Sequence, residues 1–349
     1  MITHEEDNIL YLCRRDVELA CREIDSVAVI REVFRMHGSG QTILPDEAYL
    51  TWTNDIGESV RSLNMPGYVG GSLRIAGTKI INGNIRNPLR GLPRASGLTL
   101  LYDDTSVRIM CIMEGAYLSS LRTASVTALA VDLLKGPHVH CAAIIGAGVL
   151  ARAHISLLVR RLPQLRQIQI FDVDRERITA LQSDLASILQ AHNVTLEATS
   201  TAEEAIRSAQ LIVPVTTTTV GYIRFAWLQP GSLLVNISLD DPLPEVVLKA
   251  DTVIVDDWTL VSNDHRRLIG RMYREGQIIG PNDPTEAADN GRRIDAQLGE
   301  VVAGTKVGRR RASDIILFNP FGLSIEDVAL AAQVYQAART LGIGVYLER

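Results

Sequence analysis

Cys141-Ala142-Ala143-Ile144-Ile145-Gly146-Ala147-Gly148-Val149-Leu150-Ala151 is the stretch whose reading decides the fold. Five apolar residues in a row read as a buried strand. The glycine turn follows without a break, and Ile155, Leu158, Val159 and Leu162 then recur at helical spacing. A second apolar run, Ile168-Gln169-Ile170-Phe171, ends on Asp172. The order is strand, glycine turn, helix, strand, acid. In such a unit the first glycine permits a tight turn and the second lets backbone N–H groups approach a pyrophosphate. The third small residue, here Ala151, lets helix and strand pack closely. The helix N-terminus adds unpaired donors and a partial positive charge. Gly146, Ala147, Gly148, Val149, Leu150 and Ala151 are therefore the candidate phosphate-binding residues. The alternative is a βα turn that merely happens to be glycine-rich, and the flanking strand, helix and acid argue against it.

Asp172 bears on which dinucleotide is bound. A carboxylate at the end of the second strand accepts hydrogen bonds from ribose hydroxyls and repels a 2′-phosphate. Arg175 and Arg177 lie just beyond and could pair with that phosphate, but they read more simply as solvated residues of the next helix. NAD is the expected cofactor.

The same rhythm continues downstream. A charged helix over roughly 174–191 precedes a strand at 194–198 and a short helix at 202–208. Three apolar strands follow: Leu211-Ile212-Val213-Pro214-Val215, Leu233-Leu234-Val235-Asn236-Ile237 and Val253-Ile254-Val255. Alternating strands and helices imply a parallel sheet covered on both faces, and ligands in such sheets bind beyond the carboxyl ends of the strands. Thr216, Thr217, Ser238, Asp240, Asp241 and the pair Asp256-Asp257 stand at those ends. Thr216, Thr217 and Ser238 join the candidate cofactor-binding residues. Residues 258–313 look helical and polar.

Upstream the pattern differs. After a short apolar run at 9–12 and a helical pattern from Asp16 to about Met36, residues 41–113 read mainly as strands with turns, which suggests a separate substrate domain. Ser119 is placed to cap a helix running through Leu133 and Leu134, with Arg122 in its first turn. A cation there opposes the helix dipole, so an anion such as a substrate carboxylate would rationalise it. A surface arginine paired with a nearby acid is the alternative. The chain closes with the strand Ile315-Ile316-Leu317-Phe318 and a helix from Ser324, with Ser324 and Asp327 at capping-box spacing and Ile325, Val328, Ala332 and Tyr335 on one face.

The 349 residues are enough for two domains with cores. A net charge of −5 argues against nonspecific nucleic-acid binding, and Arg309-Arg310-Arg311 is the one basic cluster. Cys13, Cys21, Cys111 and Cys141 lack CxxC spacing, so neither a metal site nor a disulfide framework is suggested. No apolar run approaches membrane-spanning length. The opening residues lack the basic and apolar regions of a signal peptide, so a cytoplasmic location is expected.

Several stretches together resemble the ornithine cyclodeaminase/μ-crystallin family. They are Met65-Pro66 with Gly70-Gly71, Gly77-Thr78-Lys79, Arg94-Ala95-Ser96-Gly97, Ser120-Leu121-Arg122-Thr123-Ala124, the glycine turn, and the run from Asn319-Pro320-Phe321-Gly322 to Asp327. The resemblance covers nearly the whole chain. It implies a Rossmann-type doubly wound parallel sheet inserted into a mixed α+β substrate and dimerisation domain. The expected bounds are 1–125 for the first part of that domain, 126–314 for the NAD-binding domain, and 315–349 for a strand and helix returning to the first.

The resemblance further implies a homodimer acting on an amino-acid-derived small molecule. Lys79, Arg122 and Asp241 are its catalytic residues, with Asp240 the alternative acid. Arg94, Arg122, Lys79 and Met65 bind substrate, Arg122 holding the α-carboxylate. Lys79 gets a depressed pKa from Arg122 and Arg94 if the fold brings them together. The family often places an arginine shortly after an early proline, and Pro45-Asp46-Glu47-Ala48-Tyr49-Leu50-Thr51 has none. The text at Asn87-Pro88, Val255-Asp256-Asp257-Trp258 and Gln297-Leu298-Gly299-Glu300 is most similar to the branch that oxidises N-(carboxyalkyl) amino acids such as N-(2-amino-2-carboxyethyl)-L-glutamate. A cyclodeaminase without net redox, an imine or ketimine reductase, and a non-catalytic nucleotide-binding protein are the competing functions.

Overall fold

The structure, a computed structural model, describes residues 8–284 and 291–348. The leader reading of residues 1–7, and residues 285–290 of the polar stretch after 258, lie outside the described residues. Contacts divide the chain into Met1–Arg122 with Leu323–Arg349, and Thr123–Gly322.

The first unit is built on one sheet. Its strands run in the spatial order Val345–Leu347, Ile9–Leu12, Ile109–Glu114, Ala95–Tyr102, Ile75–Asn84, Ser59–Val69 and Thr42–Ile43, with Ala48–Thr53 also paired to Ser59–Val69. Among the described residues of this sheet only Ile9–Leu12 with Ile109–Glu114 is a parallel pair. The register sets Met65 opposite Lys79, Lys79 opposite Thr99, and Thr99 opposite Met113, so these four side chains share one face.

The helix Ser324–Leu341 lies against this sheet, and two glycines admit it. A Cβ on Gly67 would stand 2.6 Å from Ser324 Oγ, and one on Gly77 would stand 2.5 Å from Leu100 O and 3.2 Å from Val328 Cγ2. The helix is buried nearly all round over 324–332, not along one stripe as its spacing suggested. Such a helix must find partners for every polar group it carries.

Two helix starts differ from their expected positions. The helix bearing Arg122 is Gly115–Leu134, beginning ahead of Ser119. Glu114 caps it, its carboxylate accepting from the N–H groups of Ala116 and Tyr117 at 2.9 and 3.0 Å. Arg122 is the eighth residue and not in the first turn, so the dipole argument does not apply to it. At the closing helix the N-cap is Leu323, without a side-chain cap. Ser324 Oγ donates to Pro66 O at 2.5 Å, and Asp327 is taken by cations and not by a capping box. Near the N-terminus the helical pattern is two helices, Arg14–Cys21 and Ser26–Gly38, the second capped by Asp25.

The second unit is a wholly parallel eight-stranded sheet. Its order is Thr195–Ala198, Gln167–Phe171, Cys141–Ile145, Leu211–Pro214, Leu233–Val235, Ile316–Asn319, Thr252–Val255 and Ala296–Gln297. The winding reverses beside Cys141–Ile145, the topological switch point at which such sheets bind ligands. The strand Ile316–Asn319, expected to return to the first unit, is buried between Leu233–Val235 and Thr252–Val255. Three consecutive apolar residues and the buried Asn319 make up this strand, which suits one covered on both faces, and the crossing to the first unit follows Gly322, whose φ is +93°. The other crossing falls inside Gly115–Leu134, after Arg122.

Asp256 and Asp257 hold this architecture together. Asp256 Oδ2 accepts from the N–H groups of Phe321 and Gly322, both at 2.6 Å, and Asp257 caps Trp258–Asn263. Arg267 donates to the carbonyls of Pro320 and Phe321 and stacks on the Phe321 ring. The stretch read as helical after 258 contains three short helices among its described residues, Trp258–Asn263, Leu268–Arg274 and Leu298–Val302.

Candidate active site

At the glycine turn, Gly146 has φ +103° and donates its N–H to Phe171 O at 2.7 Å. A Cβ there would meet Val215 O at 3.0 Å, so both conformation and space require glycine. Gly148 is different. Its φ is −91°, and a Cβ on it would meet no protein atom within 4 Å. It is the N-cap of the helix Val149–Arg161 and offers no side-chain acceptor to the first-turn N–H groups. Ala151 is fully buried where helix and strand pack.

Asp172 closes the arrangement. Its Oδ2 accepts from Ala147 N at 2.7 Å and its Oδ1 from Asp174 N at 2.9 Å. Val173 beside it is 92% exposed, an apolar surface ready to be covered. Arg177 pairs with Asp174 at 3.2 Å, which commits its charge within its own helix. An uncapped helix start, a glycine opening onto empty space and a carboxylate beyond the next strand fit a pyrophosphate and a ribose.

The ends of the next strands form a hydroxyl-rich loop cluster. Thr216 N donates to Ser238 Oγ at 2.9 Å, and Thr216 Oγ1 donates to Asp241 Oδ1 at 2.8 Å. Thr217 is exposed. Tyr222 OH also donates to Asp241 Oδ1, at 2.8 Å. Asp241 is fully buried, and burial raises its pKa above the usual carboxylate range against the pull of the Thr216, Tyr222 and Ser238 hydroxyls. Asp240 faces elsewhere: Arg271 Nη2 and Nη1 donate to its two oxygens at 2.9 and 3.3 Å. That pair lines a cavity of about 220 Å³ with Thr219, Gly221 and Met272, and Asp241 is not in its wall. Asp240 is committed to Arg271 through both oxygens, whereas Asp241 keeps Oδ2 without a hydrogen-bond partner among the described residues, so Asp241 is the better acid–base candidate of the two.

The first unit brings four charged side chains together. Lys79 is 1% exposed, and its Nζ donates to Asp327 Oδ2 at 2.5 Å and to Ser119 Oγ at 3.4 Å. Arg122 donates through Nε to Asp327 at 3.2 Å and through Nη1 to Glu326 Oε2 at 2.8 Å. Both acids are fully buried in the first turn of Ser324–Leu341. Burial lowers the Lys79 pKa, the Arg122 charge lowers it further, and Asp327 opposes both. Burial alone would lower Arg122 as well, but Asp327 and Glu326 outweigh it and leave that pKa above its ordinary value. Met65, 5% exposed, and Thr99, fully buried, flank Lys79 on the neighbouring strands. Thr99 Oγ1 has no hydrogen-bond partner among the described residues.

Arg94 is not part of this cluster. It precedes the strand Ala95–Tyr102 and is exposed, and the charge acting on it is Arg61. Thr99 is five positions further on, a span of about 17 Å along an extended strand. Of the two arginines expected to depress Lys79, Arg122 does so.

Glu326, Asp327 and Ser119, which surround Lys79 and Arg122 in the first unit, and Tyr222, which binds Asp241 in the second, are the neighbours of the candidate residues to which sequence reasoning gave no such role. Acids inside a helix buried on every side were the available signal for the first two. No local signal marks Tyr222.

The model of the ornithine cyclodeaminase/mu-crystallin family matches residues 8–341. The chain belongs to that family. A relative from Staphylococcus aureus (strain NCTC 8325 / PS 47), N-((2S)-2-amino-2-carboxyethyl)-L-glutamate dehydrogenase, is 30% identical over 343 residues, covering 97% of this chain and 98% of its own. The solved structure of CmnK matches with a TM-score of 0.88 and 36% identity, over 98% of both chains. An archaeal alanine dehydrogenase dimer with bound NAD shares the fold at a TM-score of 0.82 and 23% identity, over 97% of this chain and 99% of that one. Three stretches carrying the likeness to the ornithine cyclodeaminase/mu-crystallin family, Gly77-Thr78-Lys79, Ser120-Leu121-Arg122 and Ser324-Ile325-Glu326-Asp327, are those that build the buried charge cluster.

Proposed function

We propose that this chain is an NAD-dependent dehydrogenase of CH–NH bonds. Its substrate is the secondary amine of an N-(carboxyalkyl) amino acid such as N-(2-amino-2-carboxyethyl)-L-glutamate. Oxidation to the imine is followed by addition of water and cleavage to L-2,3-diaminopropionate and 2-oxoglutarate, with one NADH and one proton released. The observation that carries this reading is the nearly full-length likeness to the Staphylococcus aureus dehydrogenase at 30% identity. NAD supplies the hydride acceptor. Gly146 to Ala151 would cradle its pyrophosphate, Asp172 would take its ribose hydroxyls, and Thr216, Thr217 and Ser238 would line its approach.

The chain's own residues do the rest. Arg122 spends Nε and Nη1 on Asp327 and Glu326, which leaves Nη2 for a substrate carboxylate. Lys79, with its depressed pKa, assists in holding that carboxylate and gives up a proton more readily than a solvated lysine. Asp241, its pKa raised by burial above the ordinary carboxylate value, exchanges the proton as water adds to the imine. The enzyme acts as a cytoplasmic homodimer. Leu50, Trp52, Ile56, Ile85 and Leu89 of the first unit are exposed apolar side chains that a second copy would cover. No described helix is long and apolar enough to cross a membrane.

The test is stoichiometric. Purified protein is incubated with NAD and a panel of amino acids and N-(carboxyalkyl) amino acids. The expected yield is one NADH and one 2-oxo acid per substrate consumed, without ammonia. Ammonia and a cyclic imino acid from ornithine or lysine, with no net NADH, would replace this reading by a cyclodeaminase.

A further inference from the structure

Asp241 presents its two carboxyl oxygens to different surroundings. Oδ1 receives two hydroxyl protons, from Thr216 Oγ1 and Tyr222 OH, both at 2.8 Å. Oδ2 is buried and has no hydrogen-bond partner among the described residues. The third hydroxyl facing the carboxyl, Ser238, accepts the Thr216 N–H and, like the other two, draws the Asp241 pKa down. The neighbouring acid, Asp240, is turned to Arg271. Tyr222 is also fixed through its backbone. The N–H groups of Tyr222 and Ile223 both donate to the Asp241 carbonyl at 2.9 Å, and Leu243 N returns a bond to Ile223 O at 3.0 Å. Ring, peptide and carboxyl are therefore held in one register.

We propose that Tyr222 is the positioning residue of Asp241, occupying Oδ1 together with Thr216 so that Oδ2 is the single atom through which this acid takes up and releases its proton. The inference rests on the assignment of Asp241 as the proton-transfer group and names the atom and the residue that select it. With both Oδ1 lone pairs engaged by donors, a proton arriving at the carboxyl has only Oδ2 to bind. The same two donors favour the ionised form and hold the pKa below what burial alone would give. In return, burial and the Asp241 charge push the Tyr222 phenol well above its ordinary range, so Tyr222 stays a donor throughout the working pH range.

Tyr222→Phe keeps the ring and removes one donor, and Thr216→Val removes the other. A hydrogen bond given to a charged group is worth enough to move the Asp241 carboxyl upward by about one to two pH units in either variant. The readout is a ¹³C NMR titration of aspartate-labelled protein, with Asp241→Asn identifying the resonance. Tyrosine difference absorbance adds a second readout, in which Asp241→Asn lets Tyr222 ionise at lower pH. In turnover of Tyr222→Phe, the pH–rate limb governed by Asp241 moves upward and kcat falls about tenfold or more, while KM and NAD affinity hold.

A merely structural Tyr222 would lower the melting temperature and leave the carboxyl titration unmoved, and that result overturns the proposal. The carboxyl titration requires no substrate. Absence of turnover in the wild type would therefore refute the proposed reaction, whereas normal turnover with an unmoved titration in Tyr222→Phe and Thr216→Val would refute the role of Tyr222.

Discussion

Gly148→Ala separates what the glycine turn does for the fold from what it does for a ligand. The added methyl would meet no protein atom within 4 Å, and φ −91° is open to alanine. Two small effects on the free protein oppose each other. Reduced freedom of the unfolded chain contributes about 0.4–1 kcal/mol of stability, and alanine is the poorer N-cap by a comparable amount, about 0.5–1 kcal/mol. The cofactor-free protein should therefore melt within about 3 °C of wild type. A bound pyrophosphate would have to occupy the space the methyl enters. Overpacking of that kind costs about 1–3 kcal/mol, which is about a 5- to 150-fold loss of NAD affinity. Gly146→Ala is the contrasting control. With φ +103° and Val215 O at 3.0 Å, its methyl strains the turn itself, and the free protein should lose about 2 kcal/mol or more. Fluorescence titration with NADH and melting without cofactor read the two effects separately. If Gly148→Ala binds NADH as wild type does, the pyrophosphate does not lie on this turn and the reasoning fails.

Asp172→Asn removes a charge while keeping an acceptor, and should weaken NAD about tenfold or more and narrow the gap to NADP; a wild-type preference for NADP in the same titration would sink the assignment. Lys79→Met leaves Asp327 with Arg122 alone at 3.2 Å. Breaking a buried pair costs about 3–5 kcal/mol, and the surviving arginine puts the expected loss near the lower figure, with turnover lost and NAD binding intact; wild-type kinetics would return Lys79 to a purely structural role. His154 is fully buried, held by Thr127 Oγ1 at 2.9 Å and Leu150 O at 2.7 Å, and burial lowers its pKa from 6.5 to about 4. The unfolded chain therefore takes up this proton at a higher pH than the folded one. The stability contribution is whole above pH 6.5 and is lost as pH falls from there to about 4, amounting to about 3 kcal/mol. Urea unfolding of wild type and His154→Gln between pH 7 and pH 4 checks this, and parallel curves would refute it.

The second unit was legible in the sequence wherever its signals are local. A run of apolar residues followed at once by Gly146-Ala147-Gly148 and, one helix later, by Asp172 states strand, turn, helix and acid within a single stretch. Each part depends only on its neighbours along the chain. The family likeness of the segments around Lys79, Arg122 and Asp327 was legible too, as text. Only the tertiary structure decided what those segments do together. Lys79 meets Asp327 across 248 positions, through a sheet register and two glycines that admit the closing helix, and neither is encoded near either residue. The strand Ile316–Asn319 shows the same division. Its three apolar residues announce a buried strand, but any parallel strand of that length could lie beside it, and only the assembled sheet sets it between Leu233–Val235 and Thr252–Val255. Adjacent carboxylates are the plainest instance. Asp240 and Asp241 are chemically identical in the sequence. One is neutralised by Arg271 and the other buried beneath Tyr222 and Thr216, because solvation and charge are set by what folding brings near each carboxyl.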